Sequence, residues 1–387
     1  MSTHPTRLLV ATRKGLFTLD NVDDRIRWRL GEPQFLGHII QHAVLDPRDG
    51  QTLLVAAKTG HLGPTIFRST DAGRTFTEAA RPPAFDKAAP GTAPRVVSHT
   101  FWLTPGHASE PGVWWAGTSP QALWRSDDAG QTWSGARGFN DHPDYSLRTE
   151  DPQGGTPDGP VLHSILVDPR DARHMYLGLS GGGVYESLDH GGNWSPLNDG
   201  MATVFSDPDA DPDDPQPQSM PWKSVGPEHD PHCVQLHPLN PDILYQQNHC
   251  GIYRLQRPAT RWTRIGRNMP TDVGDIGFVI GVHPRDTATA WVFPMDGTDV
   301  WPRTSPGGRP AAWITRDDGR TWQRQANGFP DRGWFTIKRQ GMAVDTADPI
   351  GLYLGTTSGE VWATTDEGAS WRQIAAHLPE IYALELA

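Results

Sequence analysis

Three histidines, His99, His163 and His232, stand at the same place in three predicted strands, five residues before the residue that ends each strand. Neutral imidazole is a good ligand for zinc, iron, manganese or copper, and three protein ligands leave an open position for water or substrate. Neighbouring strands of this kind would bring the three rings to one point. The spacing therefore predicts one divalent transition metal (Zn, Fe, Mn or Cu) and a metal-dependent enzyme of hydrolase, lyase or oxygenase type that acts on a small molecule.

Further polar residues are predicted to surround this metal in an axial pocket. Candidates for moving protons in catalysis lie close to His232 in sequence or opposite it across a hairpin: His249, His229, Asp230 and Glu228. Candidates for binding the substrate occupy or adjoin the equivalent positions of other strands: Arg339, Lys338, Gln340, Gln41, His61 and Phe278. The two basic side chains in this set suit an anionic substrate group.

Other interpretations of the same residues stay open. A histidine at the start of an inner strand is often a buried polar side chain that bonds to a neighbouring carbonyl group. A metal-free glycosidase would instead need two carboxyl groups about 5–5.5 Å or 6.5–9.5 Å apart, and the available acids are Glu228, Asp230, Asp296 and Asp299. A third hypothesis is a non-catalytic platform that binds a peptide or protein.

A repeated motif indicates the elements that position these residues. Each copy has Asp two residues, Gly four residues and Trp or Phe seven residues after its first residue, and the five copies begin at Ser69, Ser126, Ser187, Thr315 and Thr364. The aspartates are 57, 61, 128 and 49 residues apart, so the gap of 128 spans two periods. The pattern is typical of a hairpin turn, in which Asp accepts turn N–H groups and Gly tolerates positive φ.

Short apolar strands before each motif complete a unit of four antiparallel strands. We therefore predict an all-β chain that forms one seven-bladed β-propeller over residues 1–387, with one blade closed by residues 7–30 and 380–387. Joining the two ends of the chain in one blade would hide the sheet edge that an open array exposes. Lid-like insertions are predicted at 80–97, 137–161 and 198–230, the last of which contains the acidic, proline-rich run 207–217.

The repeated motif resembles the Asp-box, or BNR repeat, of sialidases, sortilin-type receptors and photosystem assembly factors. The whole chain is similar to the bacterial group called sialidase-like or glycosyl-hydrolase BNR-repeat proteins. The resemblance implies a propeller and a glycosidase-like activity. A sialidase site would need three arginines, a Tyr–Glu nucleophile pair and an acidic catalyst, and only Arg339 and Tyr382 match such positions.

Composition narrows the partners and the compartment. The chain has 387 residues, a formal net charge of -11 and a mean hydropathy of -0.54. An acidic balance disfavours nucleic acid and anionic membranes as partners. The two cysteines, Cys233 and Cys250, are predicted to be reduced thiols. Because the first residues contain no apolar secretory segment, we predict a cytoplasmic protein.

Overall fold

The computed structural model describes residues 7–88, 90–91, 93–142, 159–203, 208, 229–297 and 303–387. These residues form an all-β structure with one four-residue helix, α1 (Arg137–Asn140), and two 3-10 turns, at Ile265–Asn268 and Pro306–Gly308. No helix in the described part of the chain is long and apolar enough to cross a membrane.

The strands are short and follow one another through tight turns. The first eleven are β1 (Arg7–Thr12), β2 (Gly15–Asp23), β3 (Arg27–Leu30), β4 (Ile39–Leu45), β5 (Leu53–Thr59), β6 (Gly63–Ser69), β7 (Thr77–Glu78), β8 (His99–Pro105), β9 (Trp114–Ser119), β10 (Ala122–Ser126) and β11 (Ser134–Gly135). The next eight are β12 (Leu162–Val167), β13 (Met175–Leu179), β14 (Gly183–Ser187), β15 (Ser195–Pro196), β16 (Pro231–Leu236), β17 (Ile243–Asn248), β18 (Gly251–Gln256) and β19 (Thr263–Arg264). The last nine are β20 (Gly277–Val282), β21 (Ala290–Pro294), β22 (Ala312–Thr315), β23 (Gln323–Gln325), β24 (Ile337–Val344), β25 (Leu352–Thr356), β26 (Val361–Thr364), β27 (Arg372–Ala375) and β28 (Ile381–Leu386).

Most of the sheets are made of four strands that are consecutive in the chain. Five sheets have four strands each, in the orders β4–β7, β8–β11, β12–β15, β16–β19 and β20–β23, and one sheet has eight strands. The first strand of a sheet is largely buried, as in β20, whereas the fourth is short and mostly exposed, as in β7, β11 and β15. The first strands therefore face the centre of the molecule, and the fourth strands lie at its rim.

The eight-stranded sheet joins the two ends of the chain. Strand β28 pairs with β1 in antiparallel register, with Val10 opposite Leu384, and β1 continues into β2 and β3. The unit β28-β1-β2-β3 meets the unit β24–β27 through one parallel bridge between Gln340 and Ala383. Residues from both termini thus belong to one four-stranded unit.

The five motif turns share one hydrogen-bond pattern, shown by the first. The Ser69 hydroxyl donates to Asp71 at 2.6 Å and accepts from the Gly73 amide at 2.9 Å, and the Thr75 amide donates to Asp71 at 2.9 Å. Hydrogen bonds from Ser69 and Thr75 hold the pKa of Asp71 well below its usual value. The φ angles of Ala72 and Gly73, 55° and 85°, explain why the turn needs a glycine.

The hydrophobic core lies between neighbouring sheets. One cluster packs Trp291 and Phe293 of β21 against Leu354 of β25, and another packs Leu54 of β5 against Trp114 of β9. Each sheet is therefore apolar on both faces and buries them against two neighbours, which is how blades of a propeller pack.

Candidate functional site

The first strands of the sheets are irregular near their starts, where the site residues were predicted. The register of pairing between the first and second strands shifts at one place in each of six sheets or units. These places lie between Ile40 and His42, Thr100 and Trp102, His163 and Leu166, Pro231 and Cys233, Gly277 and Ile280, and Ile337 and Met342. A bulge turns a side chain out of the regular alternation and towards a site. The residues at or inside these shifts include Gln41, Phe101, Ser164, His232, Phe278 and Gln340.

A narrow cavity lies where these irregular segments meet. Its lining residues are Gln41, Phe101, Phe278, Lys338, Arg339, Gln340 and Tyr382. Five of the six predicted substrate-binding residues are therefore brought together, whereas His61 is exposed in the turn after β5 and does not line the cavity. The free volume is about 10 Å³, room for roughly one water molecule, so the cavity does not admit a sugar ring.

The three histidines predicted to bind a metal do not converge. His163 is fully buried, and its two ring nitrogens lie 2.8 Å from the Ser164 hydroxyl and 2.8 Å from the Pro231 carbonyl. Burial and the charge of Arg339 lower the pKa of His163 to about 3, so the ring is neutral and serves as an internal hydrogen-bonding group. Phe101 rather than His99 lines the cavity, and Phe101 is the residue at which the register of β8 shifts, as Gln41 is in β4. Among the described residues, His99, His163 and His232 therefore do not form a group whose ligand atoms all lie within 4.8 Å of one another.

Asp230, His232 and His249 form a compact polar cluster instead. The Asp230 carboxylate lies 3.3 Å from Nε2 of His232 and 3.7 Å from Nδ1 of His249. The two rings are 5.6 Å apart and nearly perpendicular. Among the described residues this is the group whose potential metal-ligand atoms all lie within 4.8 Å of one another.

Neighbouring backbone fixes the orientation of the cluster. Nδ1 of His232 donates to the Gly277 carbonyl at 2.7 Å, which leaves Nε2 facing the carboxylate. The His249 amide donates to the Asp230 carbonyl at 2.9 Å, so the β17–β18 hairpin is held against the start of β16. The ring of His232 also packs on Phe278, with centroids 4.7 Å apart, and this contact joins the cluster to the axial cavity.

The charge states follow from burial and proximity. Burial alone raises the pKa of Asp230, but its interactions with His232 and His249 outweigh that effect and hold the pKa well below its usual value. Burial lowers the pKa of His249 to about 4, against the attraction of the carboxylate. At neutral pH the cluster thus contains an ionised Asp230 and a neutral His249.

Arg303 extends the cluster towards strand β24. Its guanidinium lies 3.4 Å from Nε2 of His249 and donates to the Asp296 carbonyl at 3.0 Å. The Thr336 hydroxyl donates to the Arg303 carbonyl at 2.6 Å, which ties this segment to the residues just before β24. Arg303 was not among the predicted site residues, because no repeat or motif marks its position.

An open groove is lined by residues just before β24 and around β26. It is lined by Gly328, Phe329, Pro330, Arg332, Gly333, Trp334, Phe335, Ser358, Glu360, Trp362 and Gln373, and its free volume, measured as for the axial cavity, is about 620 Å³. We call it the Trp334 groove. Trp334 is 64% exposed, and one edge of its indole lies so close to Gly308 that a Cβ there would be 2.8 Å from the ring.

Polar groups in the Trp334 groove have fixed positions. The Glu360 carboxylate accepts hydrogen bonds of 2.8 Å from both the Thr356 and Ser358 hydroxyls. The indole N–H of Trp362 is buried and has no acceptor among the described residues. Sequence reasoning missed this groove, because Trp334 is one of many tryptophans outside the repeated motif and its exposure is evident only in the structure.

The other predicted catalytic residues play smaller parts in the described structure. The His229 carbonyl accepts the Gly183 amide at 2.9 Å, whereas Glu228 lies outside the described residues. Cys233 and Cys250 form no disulfide in the structure, and burial raises the pKa of Cys233. The acidic run 207–217, apart from residue 208, and most of the insertions 137–161 and 198–230 also fall outside the described residues.

Comparison with known proteins relates the chain to enzymes of polysaccharide breakdown. No protein-family model matches it. The chain is 25% identical over 280 residues, 68% of its length, to an oligoxyloglucan-reducing end-specific xyloglucanase of Emericella nidulans and covers 31% of that protein. It matches the GH74 xyloglucanase of Xanthomonas campestris (TM-score 0.64, 16% identity, 96% of this chain and 53% of that one). It also matches the Niastella koreensis GH74 enzyme (TM-score 0.59, 18% identity, 94% and 51%).

These similarities indicate a β-propeller fold of glycosyl hydrolase type. The chain spans about a third of the curated relative's length and about half of the two solved structures. The prediction of a metal-dependent enzyme with a small-molecule substrate is wrong, because the relatives are xyloglucanases, whose substrate is a polysaccharide. The axial cavity, where the small molecule was predicted to bind, has room for only about one water molecule. A divalent transition metal stays a prediction, and the ligands that geometry favours for it are Asp230, His232 and His249.

Proposed function

We propose that this chain is a β-propeller glycoside hydrolase that acts on a polysaccharide of the xyloglucan type. The observation that carries the proposal is the sequence similarity to a xyloglucanase over 68% of the chain. The surface supports it, because an open groove with an exposed indole suits a sugar chain better than the water-sized axial cavity does. Trp334 presents a flat apolar face on which the C–H face of a pyranose ring stacks.

The proposed path of the polysaccharide runs from the Trp334 groove to the Asp230 cluster, which are connected through contacts of the buried residues Thr336 and Arg303. Trp334 lies two residues before Thr336, whose hydroxyl binds the Arg303 carbonyl, and Arg303 contacts His249 beside Asp230. A polysaccharide bound on Trp334 would extend along this path towards the carboxylate. The groove supplies binding energy from sugar units remote from the cleaved bond, which is how polymer-degrading enzymes orient their substrates.

Asp230 is the proposed general base. It is ionised at neutral pH and is therefore able to accept a proton from the attacking water, and His232 and His249 hold it in place. Asp296 is the proposed partner carboxyl group, because Arg303 connects its main chain to His249 and the Thr304 hydroxyl donates to its carboxylate at 3.2 Å. Glu228 and Asp299, the remaining acids of the glycosidase hypothesis, lie outside the described residues.

Release of reducing ends tests this proposal. Purified protein incubated with xyloglucan oligosaccharides is expected to generate new reducing ends, measured against a blank without enzyme and against starch as an unrelated glucan. Because the proposed chemistry uses two carboxyl groups, dialysis against EDTA is expected to leave the rate unchanged. Absence of any cleavage of xyloglucan, together with absence of binding, would reject the proposal.

Replacing Trp334 by alanine is expected to weaken binding of xyloglucan oligosaccharides about tenfold, since a stacked aromatic contact contributes about 0.5–1.5 kcal/mol beyond its buried area. Isothermal titration calorimetry measures the change. Leu188→Ala is the control, because Leu188 is also an exposed apolar residue, at 65%, but lies in a motif turn. Equal affinities for Trp334→Ala and the unmodified protein would place the sugar elsewhere.

The proposed architecture is a closed ring of seven blades with Asp-box turns. Five four-stranded sheets and two four-stranded units in the eight-stranded sheet support this number. Pairing of β28 with β1 supports closure by the two ends of the chain. The common hydrogen-bond pattern of the five motif turns supports their assignment as Asp-boxes.

A further inference from the structure

Arg339 is a buried cation in the axial cavity. The residue is 6% exposed, and its guanidinium lies over the ring of Phe278 at 5.6 Å. In the described part of the chain, no carboxylate oxygen lies within 4.0 Å of its guanidinium nitrogens, so it forms no ion pair there. Its Nε also has no hydrogen-bond acceptor among these residues. The irregular start of β24 turns Arg339 towards the axis, where it lines the cavity.

Another buried arginine shows what is missing at this position. Arg25 is 5% exposed, forms an ion pair of 3.1 Å with Asp345 and donates to the Pro349 carbonyl at 2.9 Å. Moving an unpaired charge from water into a protein interior is costly, so buried arginines normally have an anionic partner. The cation–π contact with Phe278 compensates for only part of this cost.

The acidic groups near Arg339 are engaged elsewhere. Asp230 lies close enough for Arg339 to affect its pKa, but its carboxylate faces His232 and His249. Glu380 pairs with Lys338 at 3.2 Å. Counting the described residues alone, the positive charge of Arg339 is thus left unpaired at the wall of the cavity.

We propose that the axial cavity binds one small monovalent anion at Arg339, either a halide such as chloride or a carboxylate the size of formate. The free volume of about 10 Å³ sets the size, since it accepts one water-sized ligand and no sugar or phosphate ester. Gln41, Gln340 and Tyr382 line the same cavity and complete its polar wall. The anion neutralises Arg339 and joins strand β24 to the neighbouring first strands.

Measurement of Tm by thermal unfolding tests this site. The starting buffer contains gluconate and no chloride, and chloride, bromide or formate then replaces gluconate at constant ionic strength. Above its Kd, a specifically bound anion is expected to raise Tm by about 2 °C for each tenfold increase in concentration, given the unfolding entropy of a chain of this size. Arg339→Met is expected to remove this dependence, and Arg309→Met, at an exposed arginine, is expected to keep it.

The proposal is supported if halides, formate or both raise Tm and Arg339→Met abolishes this rise. The salts that raise Tm then identify the anion. Because Arg339→Met could fail to fold, bromide-soaked crystals of the unmodified protein give a second measurement. An anomalous peak within about 3.5 Å of the Arg339 guanidinium is expected. The proposal is overturned if no small anion raises Tm beyond gluconate and no such peak appears, or if Arg339→Met keeps the full response.

Discussion

Asp230→Asn is expected to lower the rate of xyloglucan cleavage by about 10²–10⁴-fold, the usual contribution of a general acid or base. Asparagine keeps the size of the side chain but does not accept a proton from water. The variant is also expected to bind oligosaccharide with nearly unchanged affinity, because the Trp334 groove is intact. Reducing-end release gives the rate, and calorimetry gives the affinity.

Two comparisons make this result specific to Asp230. Asp348→Asn changes a carboxylate that is 91% exposed and is expected to leave the rate unchanged. If Asp230 had only a structural role, Asp230→Asn would lower Tm together with the activity. If Asp230 is the base, the variant is instead expected to change the acidic limb of the pH–rate profile. Full activity of Asp230→Asn would remove Asp230 from the mechanism.

Asp345→Ala is expected to reduce the free energy of unfolding by about 3–5 kcal/mol, the usual effect of breaking a buried ion pair. The change leaves Arg25 buried without its carboxylate partner, which lies 3.1 Å away. It also removes the acceptor for the Gly351 amide at 2.7 Å and for the Tyr353 hydroxyl at 3.2 Å. Urea denaturation followed by tryptophan fluorescence measures the effect.

The pair of Arg25 and Asp345 also tests how the two ends of the chain are joined. Arg25 lies between β2 and β3, whereas Asp345 follows β24, so their contact links the unit that contains both termini to its neighbour. The control is Asp23→Ala, which breaks an exposed pair with Arg27 and is expected to cost less than about 1 kcal/mol. Equal and small effects of both substitutions would mean that this interface contributes little to stability.

Sequence reasoning located the strands and turns because their determinants are local. At Ser69–Phe76, hydroxyl, carboxylate and glycine lie within a few residues of one another, and the structure shows their hydrogen bonds directly. The proximity of His249 to His232 also followed from pairing two adjacent strands across a short turn.

The rest of the site depends on features that spacing does not encode. Counting along the strand assigned the axial position to His99, whereas the register of β8 shifts at Phe101 and that residue lines the cavity. Arg303 meets His249 across 54 residues of chain. Trp334 is exposed as a platform because it rests on Gly308, a contact between two irregular segments. Such contacts arise only once the sheets have packed.

A crystal structure of the Asp230→Asn variant with a xyloglucan oligosaccharide tests the central claim most directly. The account predicts a pyranose ring stacked on Trp334 and a sugar chain that continues past Arg303, with an ordered water or glycosidic oxygen within hydrogen-bonding distance of residue 230. An oligosaccharide bound on another surface, with residue 230 remote from every glycosidic bond, would contradict it.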